Sequence, residues 1–135
     1  MTSSVSPRAV AVAALFLLAA CAEGEARPAG AGRFRAALDA VCQAEAHAGA
    51  KEYRASFDVF EGQAHAYLHR LAAQVEREDA EVAETLFQSK QQVEETYHNP
   101  SFYGPRVMVQ RYRDLEESMR DAASLLGYPE TTCGA

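Results

Sequence analysis

The chain has no tryptophan, five prolines and three cysteines among 135 residues. Because prolines are few, long stretches of the chain contain no helix breaker. Ala, Glu, Gln, Arg and Leu, which have high helix propensity, dominate the composition. The apolar stretch from Ala11 to Ala20 is too short to cross a bilayer as a helix. These features predict one small helical domain.

Basic residues are also in short supply. The chain has 13 Lys and Arg against 19 Asp and Glu, for a net charge of −6. Arg8 is the only charged residue among the first 20, so residues 21–135 carry −7. An acidic surface argues against nucleic acid and against anionic lipid as binding partners. Glycine-rich phosphate loops and nucleophile–histidine–acid spacings are absent as well, so we predict that the protein is not an enzyme.

The N-terminal segment combines a short region containing Arg8, the apolar stretch, and then Leu18-Ala19-Ala20-Cys21. This tetrad resembles the lipobox of bacterial lipoproteins. The resemblance implies cleavage before Cys21, a diacylglycerol thioether on its sulfur, and a lipid anchor on the extracytoplasmic face of the cell membrane. An ordinary secretory signal cut after Ala20 or Ala22 is the alternative.

The mature chain loosely looks like the small uncharacterised helical lipoproteins of high-GC bacteria, a resemblance that implies no activity. On this interpretation residues 1–20 are the signal peptide. Residues 21–32 are rich in Gly, Ala and Pro and are predicted to form a flexible tether that spans roughly 17 Å. Residues 33–135 are the helical domain.

Lipid on Cys21 would leave Cys42 and Cys133 as an even pair in an oxidising compartment. We predict a disulfide between them, with two unpaired thiols as the alternative. It would close a loop of 92 residues, for which the chain-entropy model allows about 4.5 kcal/mol.

Apolar residues recur at helical spacing throughout the domain, which predicts a bundle of three or four helices. The first helix is expected to end with Gly49 in the C′ position, and the last to begin at Pro105 and stop at Gly127. The aromatic segment 97–103 is predicted to cap one end of the bundle, with a recognition tip as the alternative. The predicted core positions are Phe34, Leu38, Val41, Cys42, Tyr53, Phe57, Phe60, Ala64, Leu68, Leu71, Val75, Val82, Leu86, Val93, Tyr97, Met108, Tyr112, Leu115, Met119, Ala122 and Leu126.

Residues 51–97 admit two interpretations. Their unbroken apolar phase, without Gly or Pro near residues 77–79, favours one continuous helix of about 70 Å. A second copy or an envelope protein would then cover the remaining apolar surface. The alternative is a hairpin near residues 77–80, with Asp79 as the helix N-cap and a compact four-helix bundle as the result.

Glu61, His65 and His69 are spaced four residues apart, so they share one face of the second helix, at the border of its apolar stripe. Two imidazoles and a carboxylate are suitable ligands for Zn²⁺ or Cu²⁺. The alternative is a pair of partly exposed histidines without a ligand. His47 would complete the site if it packs at the same height, whereas His98 would lie too far away on a continuous helix.

Two functions therefore compete. The first is a membrane-anchored envelope lipoprotein whose helical domain binds or scaffolds an unidentified partner, either a second copy or another envelope protein. The second is an envelope lipoprotein that binds a divalent metal through His65 and His69. The first needs no cofactor, and the second needs Zn²⁺ or Cu²⁺.

Overall fold

A computed structural model describes residues 29–134, and all regular secondary structure in that range is helical. The prediction of a small all-α bundle is confirmed. Cys21, the predicted signal peptide and most of the predicted tether lie outside the described residues. The elements in chain order are α1 (Ala31–Gly49), α2 (Tyr53–Val59), a π-helical segment (Phe60–His65), α3 (Ala66–Val75), α4 (Ala80–His98) and α5 (Pro100–Leu125).

These elements form a four-helix bundle in which consecutive rods run antiparallel. Helix α2, the π-helical segment and α3 follow one another without interruption and make up the second rod. Ser56 Oγ donates to the Ala44 carbonyl oxygen at 2.6 Å, which fixes the second rod against α1. Arg113 Nε lies 2.9 Å from Glu45 Oε1 and joins α5 to α1. The topology is therefore up-down-up-down.

The core is continuous from one end of the bundle to the other and fills the space between the four rods. Full burial of a Leu, Phe or Met side chain contributes about 1.5–3 kcal/mol, so the core is the main source of stability. Most of the predicted core positions are buried: Phe34, Leu38, Val41, Phe60, Ala64, Leu68, Leu71, Val75, Leu86, Val93, Met108, Tyr112, Leu115, Met119 and Ala122.

The continuous helix over residues 51–97 is wrong, and the hairpin alternative is correct. Helix α3 ends at Val75 and α4 begins at Ala80. Between them Asp79 adopts an extended backbone, and its carboxylate accepts hydrogen bonds from the amides of Glu81 (2.9 Å) and Val82 (3.1 Å). The turn forms without Gly or Pro. Folding back buries the apolar face of the second rod and that of α4 in one core, and this burial stabilises the turn. The apolar surface that called for a second copy is therefore already covered.

The boundaries predicted at Gly49 and Pro105 have different outcomes. Gly49 is the last residue of α1, and the left-handed backbone lies two residues later, at Lys51 with φ 64°. Gly49 is therefore not the C′ residue. In α5, Gly104 is non-helical at φ 70° and ψ 170°, so the regular part of the helix starts at Pro105, as predicted. One extra turn, capped by the Asn99 side chain, precedes it.

The aromatic segment between α4 and α5 caps the bundle in part. The Tyr97 ring lies 4.8 Å from that of Phe57, and its hydroxyl is 2.9 Å from Ser56 Oγ. The Arg111 guanidinium lies 4.5 Å over the Tyr103 ring. Phe102 packs edge to face on the Tyr103 ring at 5.2 Å but remains 77% exposed.

The predicted disulfide joins Cys42 of α1 to Cys133 of the C-terminal tail, with 5.6 Å between their Cα atoms. Tyr128 holds the same tail independently, because its ring packs against Phe34 at 5.6 Å. Tyr128 also packs against Gly30, the residue just before α1. A Cβ at position 30 would lie 2.5 Å from the Tyr128 hydroxyl oxygen, so this contact requires glycine. The five α-helices, the π-helical segment, the continuous core and the disulfide described here all belong to residues 29–134, so we expect these residues to fold independently.

Candidate metal centre

The candidate site lies where the second rod departs from α-helical geometry. The π-helical segment Phe60–His65 contains Gly62, at which an added Cβ would meet no atom within 4 Å. Packing therefore does not require the glycine, and its low helix propensity makes the departure less costly. Phe60 and Ala64 of the segment are fully buried, whereas His65 is 26% exposed at its side chain. Such π segments frequently occur at functional sites.

His65 is the centre of the cluster. Its Nδ1 lies 3.1 Å from Glu61 Oε1, and its Nε2 lies 2.8 Å from Glu94 Oε1 on α4. Its Nε2 is also 3.1 Å from His69 Nε2, with the two rings edge to face. The structure thus brings together the three predicted residues, Glu61, His65 and His69, through His65. It adds a second carboxylate, and Glu61, His65 and Glu94 offer ligand atoms within 4.8 Å of one another.

Two carboxylates face the ring nitrogens of His65, Glu61 at Nδ1 and Glu94 at Nε2. Imidazole and carboxylate lone pairs that converge in this way are suitable ligands for a divalent metal cation. Without a metal, the carboxylate oxygens can accept hydrogen bonds from the ring. The arrangement can therefore act as a hydrogen-bonded network or hold a divalent metal.

Glu94 was missed by sequence reasoning, and so was Lys90. On a continuous helix Glu94 would lie about 44 Å from His65, and only the hairpin brings it across. Lys90, one turn earlier on α4, is 2% exposed. Its Nζ lies 2.7 Å from Glu94 Oε1 and 5.5 Å from the centre of the Phe87 ring. The ammonium competes with a metal ion for Glu94, which is the main argument for a purely structural ion-pair network.

His69 is exposed to solvent, as is Glu61. Desolvation, followed by the charges of Lys90 and His65, lowers its pKa, so the ring is neutral at pH 7. A neutral imidazole is the form that binds a metal. Beside it an open groove runs between α3 and α4, lined by Phe87 and by the small side chains of Ala72, Ala73 and Ala83. The groove gives an ion a path to the cluster.

The other two histidines do not join the cluster. His47 lies near the end of α1, where its Nδ1 contacts Glu52 Oε2. Since Ser56 packs beside Ala44, the height of His65 corresponds to the start of α1, about 18 Å from His47. His98 lies one turn after Glu94 on α4, so the hairpin brings it nearer to His65 than a continuous helix would allow. It is exposed there, and the ligand group around His65 does not include it.

Comparisons with protein-family models, with curated proteins and with solved structures find no match to the chain. Among the helices between residues 29 and 134, none combines the length and the apolarity needed to cross a membrane. The function must therefore be argued from the residues themselves.

Proposed function

We propose that the protein is an envelope lipoprotein, held to the membrane by lipid on Cys21, whose helical domain acts as a binding module. The observation that supports it most is the cysteine pairing. Cys42 and Cys133 are joined to each other, so Cys21 is left as the odd cysteine available for lipid. A disulfide is also expected in a protein exported to an oxidising compartment.

The bundle geometry suggests which end of the domain faces a partner. Helix α1 starts at Ala31, within the last two residues of the predicted tether, and extends about 28 Å to Gly49. The α4–α5 corner, with exposed Phe102, packs at that far end, since Val109 of α5 lies beside Gly49. An anchored domain presents this corner away from the lipid.

The anchor is tested by expressing the full chain and a Cys21→Ser variant in a bacterial host. We expect the wild type in the detergent phase, with mass spectrometry showing an N-terminal cysteine that carries diacylglycerol. The variant should lose the lipid and keep its leader, because processing depends on the modified cysteine. Unmodified Cys21 in the exported wild-type chain would overturn the anchor.

A second function, capture of Zn²⁺ or Cu²⁺, is favoured by the position of Glu94. Two imidazoles alone are a weak site, whereas a carboxylate arriving from another helix supplies a third ligand of suitable chemistry. His65 Nε2 lies 2.8 Å from Glu94 Oε1 and 3.1 Å from His69 Nε2. Glu61, His65 and Glu94 offer ligand atoms within 4.8 Å of one another, and the exposed His69 ring would turn toward Glu94 to join an ion held there.

Calorimetric titration of Zn²⁺ into residues 29–135 tests the metal function. We expect one ion per chain with micromolar affinity, which His65→Ala/His69→Ala should abolish. The matched control is His47→Ala/His98→Ala, which removes two histidines outside the cluster and should change nothing. A control variant that loses binding as well, or a wild type that binds no zinc, would exclude the site.

Lys90 offers a further discriminating variant. Lys90→Met keeps the buried aliphatic stem and removes the ammonium that competes for Glu94. If the cluster binds metal, zinc affinity should rise about tenfold, equivalent to about 1.4 kcal/mol. If the cluster is only an ion-pair network, the variant should lose stability and gain no affinity.

A further inference from the structure

A second group of potential ligands surrounds the disulfide, on the bundle face formed by α1, α5 and the C-terminal tail. The sulfurs of Cys42 and Cys133 and a carboxylate oxygen of Glu116 lie within 4.8 Å of one another. Both cysteines are partly exposed, whereas Glu116 is buried, with 6% of its surface accessible. This group shares no residue with the histidine cluster.

Glu116 is unusual because its carboxyl group is buried with one oxygen unpartnered, while the Glu45 carboxyl on α1 is hydrogen-bonded to the same group. Its Oε1 has no hydrogen-bond partner among the described residues. Its Oε2 lies 3.9 Å from Arg120 Nη1, at the limit of an ion pair. A buried polar atom without a partner costs about 1–3 kcal/mol, and more when it is charged. The neighbouring disulfide cannot help, because neither sulfur carries a proton to donate.

We propose that Glu116, Cys42 and Cys133 form a metal site that reduction of the disulfide opens. A dithiol reductant transfers two electrons, the S–S bond breaks, each sulfur takes up a proton, and the reductant is oxidised to its own disulfide. Binding of Zn²⁺ then displaces both thiol protons. The ion has two thiolate ligands and the Glu116 carboxylate, with water in the fourth position.

The fold keeps the three ligands together after reduction. Cys42 lies within α1 and Glu116 within α5, so neither moves when the bond breaks. The tail that carries Cys133 stays attached through Tyr128, five residues earlier, whose ring packs against Phe34. Two sulfurs on a tetrahedral zinc ion lie about 3.8 Å apart. The tail can open to that distance because Cys133 lies outside the helices.

The oxidised and reduced states therefore differ in ligand chemistry. A disulfide is a poor metal ligand, whereas two thiolates bind Zn²⁺, Cd²⁺ and Co²⁺ strongly. In the reduced state the cation would supply Glu116 with the partner that it lacks beside the disulfide. The proposal is independent of the anchor and of the histidine cluster.

The test uses residues 29–135 carrying His65→Ala/His69→Ala, so that the histidine cluster cannot contribute ligands. The protein is reduced with a phosphine, circular dichroism verifies that it remains helical, and Cd²⁺ is titrated. We expect one ion per chain and a thiolate-to-cadmium charge-transfer band in the ultraviolet for the reduced protein, and no band for the oxidised one. Cys42→Ser/Cys133→Ser should show no band.

The role of the carboxylate is tested by Glu116→Gln against Glu117→Gln, which changes an exposed neighbour on the same helix. Glu116→Gln should weaken cadmium binding about tenfold, and Glu117→Gln should leave it unchanged. Equal affinities for the two variants would exclude Glu116 as a ligand. A reduced chain that shows no charge-transfer band, or that unfolds and does not refold when zinc is added, would overturn the site itself.

Discussion

Glu116 is the residue at which burial and charge conflict most strongly in the described part of the chain. Burial, and then the adjacent Glu45 carboxyl on α1, raise the pKa of Glu116 from 4.5 to about 7. The guanidinium groups of Arg120 and Arg113 oppose the shift and do not cancel it. The folded protein therefore holds a proton on Glu116 at pH values where the unfolded chain has lost it.

This shift makes stability depend on pH in a defined direction. Between about pH 4.5 and 7 the folded state binds more protons than the unfolded state, so the free energy of unfolding falls as pH rises through that window. Glu116→Gln removes the effect, because the amide stays neutral. We expect it to stabilise the protein at pH 8 by about 1–3 kcal/mol, and by much less at pH 4.5.

Urea denaturation of oxidised wild type, Glu116→Gln and Glu117→Gln at the two pH values measures the difference. Glu117→Gln is the control for removal of a carboxylate from the exposed side of α5. Parallel pH profiles for wild type and Glu116→Gln would contradict the assignment of the raised pKa to Glu116.

At the scale of the elements, the hairpin between α3 and α4 decides the architecture. The hydrophobic period runs through residues 51–97 without interruption, so a pattern argument alone favours one helix. Asp79 interrupts the helix at this point, because its carboxylate accepts hydrogen bonds from two amides at the start of α4. Without Asp79 these amides would have no intrahelical partner. Packing stabilises the turn more than this cap does, because the hairpin buries Leu71, Val75 and Leu86 in the same core.

Asp79→Ala should therefore destabilise the bundle by about 1 kcal/mol, within the range measured for N-caps. Because packing also supports the turn, the variant should keep its helix content and a single cooperative transition. A drop in Tm of about 4–8 °C is expected for a domain of this size. Asp79→Asn retains the side-chain acceptor and should lose markedly less. An unchanged Tm in Asp79→Ala would mean that packing alone sets the hairpin.

At the scale of the whole molecule, four rods enclose one core, and two devices hold the C-terminal tail against it. Tyr128 packs on Phe34, and the disulfide joins the tail to the middle of α1. Most large apolar side chains of residues 29–134 are buried, and Phe102 is the most exposed of the exceptions in that range. Stability therefore depends on this core and on the loop closed by the disulfide.

Cys42→Ser/Cys133→Ser should cost about 2–4 kcal/mol, as expected for a cross-link that closes a long loop. The effect should appear mainly as a lower midpoint in thermal and urea unfolding, with native far-ultraviolet circular dichroism, because Tyr128 still holds the tail. Wild type under reducing conditions provides the comparison. A variant as stable as oxidised wild type would show that the unfolded chain gains no freedom when the bond is removed.

The sequence predicted only the part of the histidine cluster that lies on a single helix. The spacing of Glu61, His65 and His69 along one helix put them on one face, and the structure joins them through His65. Glu94 and Lys90 come from the facing helix, so no spacing within the second rod indicates them. Their position beside His65 depends on the register of α4 against α3, which is set by side-chain packing.

The sequence by itself determined the helical class, most of the core positions, the start of regular α5 at Pro105 and the pairing of Cys42 with Cys133. These follow from short-range periodicity, helix propensity and the pairing of thiols expected in an oxidising compartment. Only the tertiary structure decided that the chain folds back at Asp79, that Glu94 reaches His65, and that Glu116 is buried beside the disulfide. Each of these depends on which faces meet, and burial between distant segments is a cooperative property of the whole core.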